Sequence, residues 1–349
     1  MPCSLCKEEK LLSASLGICR DCILNKWEEA RAIAARVHQE SRRKLGLVEV
    51  VPRRGIPCNF CQNRCKIAKG QLGYCGIKMN KDGKLVHLAG DFEKGLLEYY
   101  FDPLPTNCVS AWCCEERNAR DGYNLAVFYG ACSFDCLFCQ NWHFKHLTTS
   151  LSPIVKSEEL ARAVNEETKC ICFFGGDPSP QLMHAIEVAK LVVENDLKVR
   201  ICLETNGSAN WHLLKRFASF VLETRGTIKF DLKFWHEELN LAICGASNKW
   251  TLSNFERLSR FIGESESYAF LTASTLLIPG YVNEEEIKKI ASFIASLNER
   301  IPYSLLAFYP CHEFADLPRT SRELAIRCYK AARDAGLKNV RIGNVHLLI

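Results

Sequence analysis

Three cysteines on one short loop, Cys132-x3-Cys136-x2-Cys139, are the residues best placed to do chemistry. Three thiolates at this spacing can hold three irons of a [4Fe–4S] cube and leave the fourth iron without a protein ligand. That open iron separates a reactive cluster from one that only carries electrons, which four thiolates would complete. Two other sets are also metal-like. Cys3-x2-Cys6-x12-Cys19-x2-Cys22 suits a tetrahedral four-thiolate site, either a zinc knuckle or rubredoxin-like iron. So short a segment has no core of its own, so metal would supply its folding energy, and the four thiols are expected to form a self-contained set. Cys58-x2-Cys61-x3-Cys65-x9-Cys75 also offers four thiolates, and both zinc and a second [4Fe–4S] cluster fit them.

The elements that must position these residues follow from the pattern of apolar runs. Cysteines crowd the beginning of the chain, fourteen of twenty falling by Cys139, and the remainder alternates short apolar runs with helical stretches. Strand-like runs at 125–131, 170–174, 199–204, 227–232, 269–278 and 303–308 are separated by helical patterns, with 339–342 as a possible final strand. Such alternation predicts βα units in a parallel sheet, and crossovers of one hand curl it into a partial barrel. Chemistry in that architecture sits at the C-terminal strand ends. The polar words fall there: Gly175-Gly176-Asp177-Pro178, Glu204-Thr205-Asn206-Gly207 and Asp231-Leu232-Lys233. The expected organisation is a metal module plus helix over 1–48, a cysteine-rich module over 49–120 and the barrel over 121–349.

The run from Tyr129 to Trp142 resembles the cluster loop of the radical S-adenosylmethionine (SAM) superfamily, including the aromatic Phe138 before the last cysteine. Residues 56–349 resemble an archaeal and bacterial subgroup similar to glycyl-radical-enzyme (pyruvate formate-lyase) activating enzymes. The resemblance implies an α/β fold, a partial (β/α)6 TIM-like radical SAM barrel with a cysteine-rich metal-binding N-terminal extension. It implies that Cys132, Cys136 and Cys139 are catalytic, holding a [4Fe–4S] cluster that binds SAM and cleaves it reductively. It also implies cofactor contacts: Phe138 near the adenine, the backbone of Gly175, Gly176, Asp177 and Pro178 for the SAM amino group, and Glu204, Thr205 and Asn206 for ribose or carboxylate. Asp231 and Lys233 match a further word, whose lysine can pair with a carboxylate.

The other cysteines carry less. Cys108, Cys113 and Cys114 could ligate a further cluster but are expected first as buried or substrate-side thiols, and Cys170, Cys172, Cys202, Cys244 and Cys328 as small apolar residues. Cys311 is the later cysteine nearest the expected site, and His143 and His146 read as incidental.

At 349 residues, 48% hydrophobic and 24% charged, the composition is that of a globular protein and excludes wholesale disorder. The net charge of +5 assigns no partner. No apolar run reaches spanning length and no export signal opens the chain, so a cytoplasmic protein of an anaerobic or strongly reducing cell is expected, its cysteines serving metal. An electron donor such as ferredoxin or flavodoxin is implied. The substrate stays open between protein, lipid and RNA: glycyl-radical activation and joining of isoprenoid lipid chains are alternatives within the enzyme class. A non-catalytic metal-bearing scaffold for RNA or protein is the rival from outside it.

Overall fold

The computed structural model describes residues 1–195, 198–264 and 269–349, and its described residues build one large sheet of nine strands. In chain order these are β1 (Lys94–Pro103), β2 (Tyr123–Tyr129), β3 (Ile154–Lys156), β4 (Thr168–Gly175), β5 (Arg200–Thr205), β6 (Ile228–Asp231), β7 (Leu271–Leu277), β8 (Tyr303–Ala307) and β9 (Val340–Gly343). In space they run β9-β8-β7-β6-β5-β4-β2-β1-β3. The seven strands β2 and β4 to β9 are mutually parallel. Every crossover among them therefore steps the same way, which curls the sheet. The curl shows in one cavity that is lined by Asn124 and Ala126 of β2 and equally by Gly343 of β9.

The six expected units are present, and β9 makes the possible final strand a seventh parallel member. Helices Leu182–Glu194, Trp211–Glu223, Glu284–Leu297 and Arg322–Asp334 fill crossovers, while the β6–β7 crossover carries two, Glu237–Cys244 and Lys249–Ser259. Their starts are specified locally. Asn283 accepts a hydrogen bond from the Glu286 amide at 3.0 Å, and Glu284, Glu285 and Glu286 lie in that first turn, where the helix dipole favours negative charge.

The sheet also contains a part the sequence pattern concealed. β1 pairs antiparallel with β2, and β3 antiparallel with β1, so the boundary expected at 120/121 falls within the sheet. A strand ending in Pro103 and running into a proline- and cysteine-rich loop does not read as part of a βα series.

Cys3, Cys6, Cys19 and Cys22 lie together, and the segment that carries them, residues 1–48, also packs on the barrel. Leu11 O lies only 2.2 Å from where a Cβ on Gly280 would stand, and Gly280 has φ +83°, so only glycine lets the N-terminal loop seat on the turn after β7. Tyr281 there donates to Ile18 O at 3.1 Å and accepts from the Ser13 amide at 3.1 Å. Helix Trp27–Lys44 then reaches the cluster loop itself. His38 Nδ1 lies 2.9 Å from Asp135 Oδ2, and Lys145 Nζ and Arg42 Nη1 lie 2.7 and 3.5 Å from Asp135 Oδ1. All four side chains are buried. Burial opposes ionisation of Asp135, but its bond to His38 and the charges of Lys145 and Arg42 hold the carboxyl well below the usual carboxylate range.

Asp135→Ala would strand these cations without their counter-charge and is expected to cost about 3–5 kcal/mol, read by anaerobic denaturant unfolding. An unchanged midpoint would refute the bracing role.

Candidate active site

The cluster loop follows β2 directly. Ala131, at φ +71°, turns the chain out of the strand, and Cys132 and Cys136 are buried while Cys139 is half-buried. The loop is clipped by backbone bonds from Asp135 N to Cys244 O at 2.8 Å and from Leu137 N to Ile243 O at 3.0 Å. Asn206 Nδ2 donates to Cys132 Sγ at 3.7 Å and to Ser133 Oγ at 3.0 Å. The three cysteines face a cavity of about 930 Å³, which Phe138, Gly175, Gly176, Asp177, Glu204, Thr205, Asn206, Asp231 and Lys233 also line. The candidate words, far apart in sequence, thus converge, and Pro178 follows at the edge of the set.

Both glycines of the second word are demanded by close approach. A Cβ on Gly175 would stand 2.5 Å from Tyr129 N, and one on Gly176 would stand 2.2 Å from Ala131 O. The gap is closed by Gly176 N donating to Tyr129 O at 2.8 Å and Asp177 N to Ala131 O at 3.0 Å. The buried Asp177 carboxylate accepts from Ser179 N at 2.7 Å, from Asn206 N at 2.6 Å and from Thr205 Oγ1 at 3.1 Å. Burial pushes its carboxyl up against the pull of these donors. In this structure Asp177, Thr205 and Asn206 therefore brace one loop against the next, while Glu204, Asp231 and Lys233 are the other charged groups of these words that line the cavity.

A ladder of alternating charge spans β5 and β6. Lys229 Nζ lies 2.9 Å from Glu204 and 3.2 Å from Asp231, and Lys233 Nζ lies 3.2 Å from Asp231, which also accepts from Ser274 Oγ at 2.8 Å. Burial disfavours the charges of Lys229, Asp231 and Lys233, yet Lys229 and Lys233 hold the Asp231 carboxyl far down, and Asp231 holds the Lys233 ammonium well up. Lys229 is the member sequence reasoning missed. Its signal was the alternation Lys229-x-Asp231-x-Lys233, which places three charges on one face of a strand. Lys233 Nζ also sits 5.6 Å from the Phe138 ring centroid, and Phe138 packs on Phe314, which stacks on Tyr281.

The family model described as the radical SAM superfamily matches residues 126–294, a span that holds the triad and all three words. This span is a radical SAM domain. An uncharacterised protein of Methanocaldococcus jannaschii is 25% identical, covering 83% of this chain and 81% of that protein. A second protein of that organism, named a putative glycyl-radical enzyme activating enzyme, is 29% identical over 52% of this chain and 65% of its own length. Among solved structures, a domain of a pyruvate-formate lyase-activating enzyme from Bacteroides vulgatus aligns at 25% identity and TM-score 0.39, covering 50% of this chain and 99% of that one.

The donor set of this radical SAM domain fits the cluster that the superfamily implies: three thiols on one loop, open to a cavity. Burial pushes the Cys132 thiol well up and Cys139 up to about 12, so a metal must displace their protons. Cys136 is different: burial opposes ionisation, but a bond from the Cys244 thiol and the Lys233 charge bring it down. Cys244, expected as a small apolar residue, thus touches the cluster loop.

The other cysteine sets differ in spacing. Among the described residues one group has all its ligand atoms within 4.8 Å of one another: Cys3, Cys6, Cys19 and Cys22. Four sulfurs about 2.3 Å from a single ion stand about 3.8 Å apart, so this knuckle suits one metal ion. Neither the triad nor Cys58, Cys61, Cys65 and Cys75 meets that spacing. The latter four still influence one another: burial pushes Cys58, Cys61 and Cys65 up, and Cys75 adds to the rise of each. Lys78, fully buried, stands near them. Cys108, Cys114, Cys170, Cys172 and Cys202 share a smaller pocket of about 50 Å³ with Glu204 and Lys229. Cys113 donates to Ser110 O, Cys311 donates to Phe138 O at 3.2 Å, and His143 and His146 pack on Trp142.

Gly176→Ala should force the second word off the cluster loop, an overpacking cost of about 1–3 kcal/mol, and weaken SAM binding about tenfold in equilibrium dialysis of reconstituted enzyme. Unchanged affinity would remove the close-approach argument. Elemental analysis should find that Cys19→Ala/Cys22→Ala loses one metal ion per chain, with a lower melting temperature because Ile18 and Ser13 then lose their seat on Tyr281.

Proposed function

We propose that the enzyme cleaves SAM reductively at Cys132, Cys136 and Cys139 and uses the resulting radical to abstract hydrogen from a substrate held in the 930 Å³ cavity. The observation that supports this most is convergence: the triad and three separate sequence words line one cavity at the C-terminal ends of β2, β4, β5 and β6. The chemistry the bound [4Fe–4S] cluster supplies is one-electron cleavage of SAM to methionine and a 5′-deoxyadenosyl radical. The protein's own part is positioning. Gly175 and Gly176 let the backbone come close to the cluster loop, Lys233 offers a charge to the SAM carboxylate, and Phe138 offers an apolar face for the adenine. Asn206 orients Cys132, and the Glu204–Asp231 ladder keeps the floor of the cavity charged but internally paired.

For Cys58, Cys61, Cys65 and Cys75 the reading is a second [4Fe–4S] cluster, since the four do not group within 4.8 Å as the knuckle does, and the buried Lys78 offsets the negative charge of four thiolates. The knuckle takes a single zinc or iron ion. A second functional reading, activation of a partner's glycyl residue, draws on the name of the relative that is 29% identical.

Cys132→Ala/Cys136→Ala/Cys139→Ala should lose about four irons per chain and all 5′-deoxyadenosine formation while keeping its circular-dichroism spectrum. Retained cleavage would sink the proposal. Deuterated cell fractions then identify the hydrogen donor by label arriving in 5′-deoxyadenosine. An electron-paramagnetic-resonance glycyl doublet on a partner protein would establish the second reading.

A further inference from the structure

Residues 50–81, which carry the second cysteine set, contain seven basic residues and no acidic one. Lys78 is buried within the module. Arg53, Arg54, Arg64 and Lys66 are exposed, and among the described residues none of them has a carboxylate partner, whereas Lys69 pairs with Asp82. These cations lie beside the module's thiols: Arg64 and Lys66 flank Cys65 in the chain, and Arg53 forms a parallel β-bridge with Lys66.

The inner side of the same loop is fastened to the radical site. Asn63, buried, donates from Nδ2 to Ser133 O at 2.7 Å, one residue from Cys132, while its own carbonyl accepts from Arg53 Nη1 at 3.0 Å. Gln62 N donates to Ser208 O at 3.0 Å, and Ser208 Oγ lies 2.6 Å from Ser133 Oγ. Asn210 N donates to Phe60 O at 2.9 Å. The cysteine module thus stands between a cationic outer face and the loop that holds the catalytic triad.

We propose that this face, Arg53, Arg54, Arg64 and Lys66, is the docking surface for an acidic one-electron carrier protein, and that the module beneath it is where the reducing electron enters. This rests on the reading of the enzyme as one that needs a single electron per SAM cleaved. The carrier is oxidised by one electron and the enzyme reduced by one, with no bond made or broken. Unpaired like charges around an entry point attract an oppositely charged partner and speed encounter, an effect that salt screens.

The test uses the reconstituted holoenzyme and a reduced, acidic bacterial-type ferredoxin. Binding by calorimetry should weaken as salt rises. Arg54→Glu/Arg64→Glu/Lys66→Glu should slow stopped-flow electron transfer about tenfold or more. Its iron content, and its 5′-deoxyadenosine formation with photoreduced deazaflavin, should stay at wild-type level. The neutral variant Arg54→Gln/Arg64→Gln/Lys66→Gln should fall between, which covers misfolding of the reversed one. Wild-type binding and transfer rates in both variants would overturn the proposal. So would a wild-type protein that ignores ferredoxin but binds an RNA oligonucleotide through these residues. If deazaflavin drives no cleavage in the wild type, the SAM-cleavage reading fails, and salt-dependent ferredoxin binding still reports on the surface.

Discussion

The structure depends on one buried carboxylate. Asp135 sits between two of the cluster-loop cysteines, and its oxygens meet His38, Arg42 and Lys145. A buried anion is tolerated only when paired and hydrogen-bonded, so these groups come as a set. Two of them arrive on the N-terminal helix Trp27–Lys44, and the third on the helix that follows the cluster loop. The loop is therefore held from behind by charge and from the side by the backbone clips to Ile243 and Cys244. The N-terminal extension, which by composition looks like an accessory, is part of the catalytic loop's support.

The same economy of charge shapes the cavity. Glu204, Lys229, Asp231 and Lys233 alternate along the ends of adjacent parallel strands, so each charge faces its opposite. Such a floor is paired within itself and leaves few isolated charges to attract water into the cavity. Above it the loop over 104–117 carries Cys108 and Trp112 across the interior, where Trp112 Nε1 donates to Ser304 Oγ at 3.1 Å. No described helix is long and apolar enough to cross a membrane.

The aromatic line from the knuckle to the cluster gives a second mechanical link. Tyr281, bonded to Ile18 and Ser13, stacks on Phe314 with ring centroids 5.3 Å apart. Phe314 N donates to Leu137 O at 3.1 Å, beside Phe138. Packing of this kind transmits displacement because close-packed side chains have nowhere to yield. The loop of Cys3, Cys6, Cys19 and Cys22 is thus linked to the turn that carries Phe138 and Cys139 through packing contacts.

The sequence by itself determined the chemistry-bearing residues and the order of the parallel strands. Thiolate spacing within a loop and apolar runs between helices are local properties, so Cys132, Cys136 and Cys139, the Gly175–Pro178 turn and the strand ends were legible. β1 was not, because it pairs antiparallel after a long cysteine-rich stretch and ends in proline. Nor were the partners of Asp135, Lys229 between its two acids, or the Cys244 thiol beside Cys136. Burial and pairing across the chain are set by which helix packs on which strand end. Only the tertiary structure decided that Asp177, Thr205 and Asn206 brace one another, and that one four-cysteine set is compact enough for a single ion while the other is not. Sequence separation says nothing of the distance between sulfurs once the loops that carry them are folded.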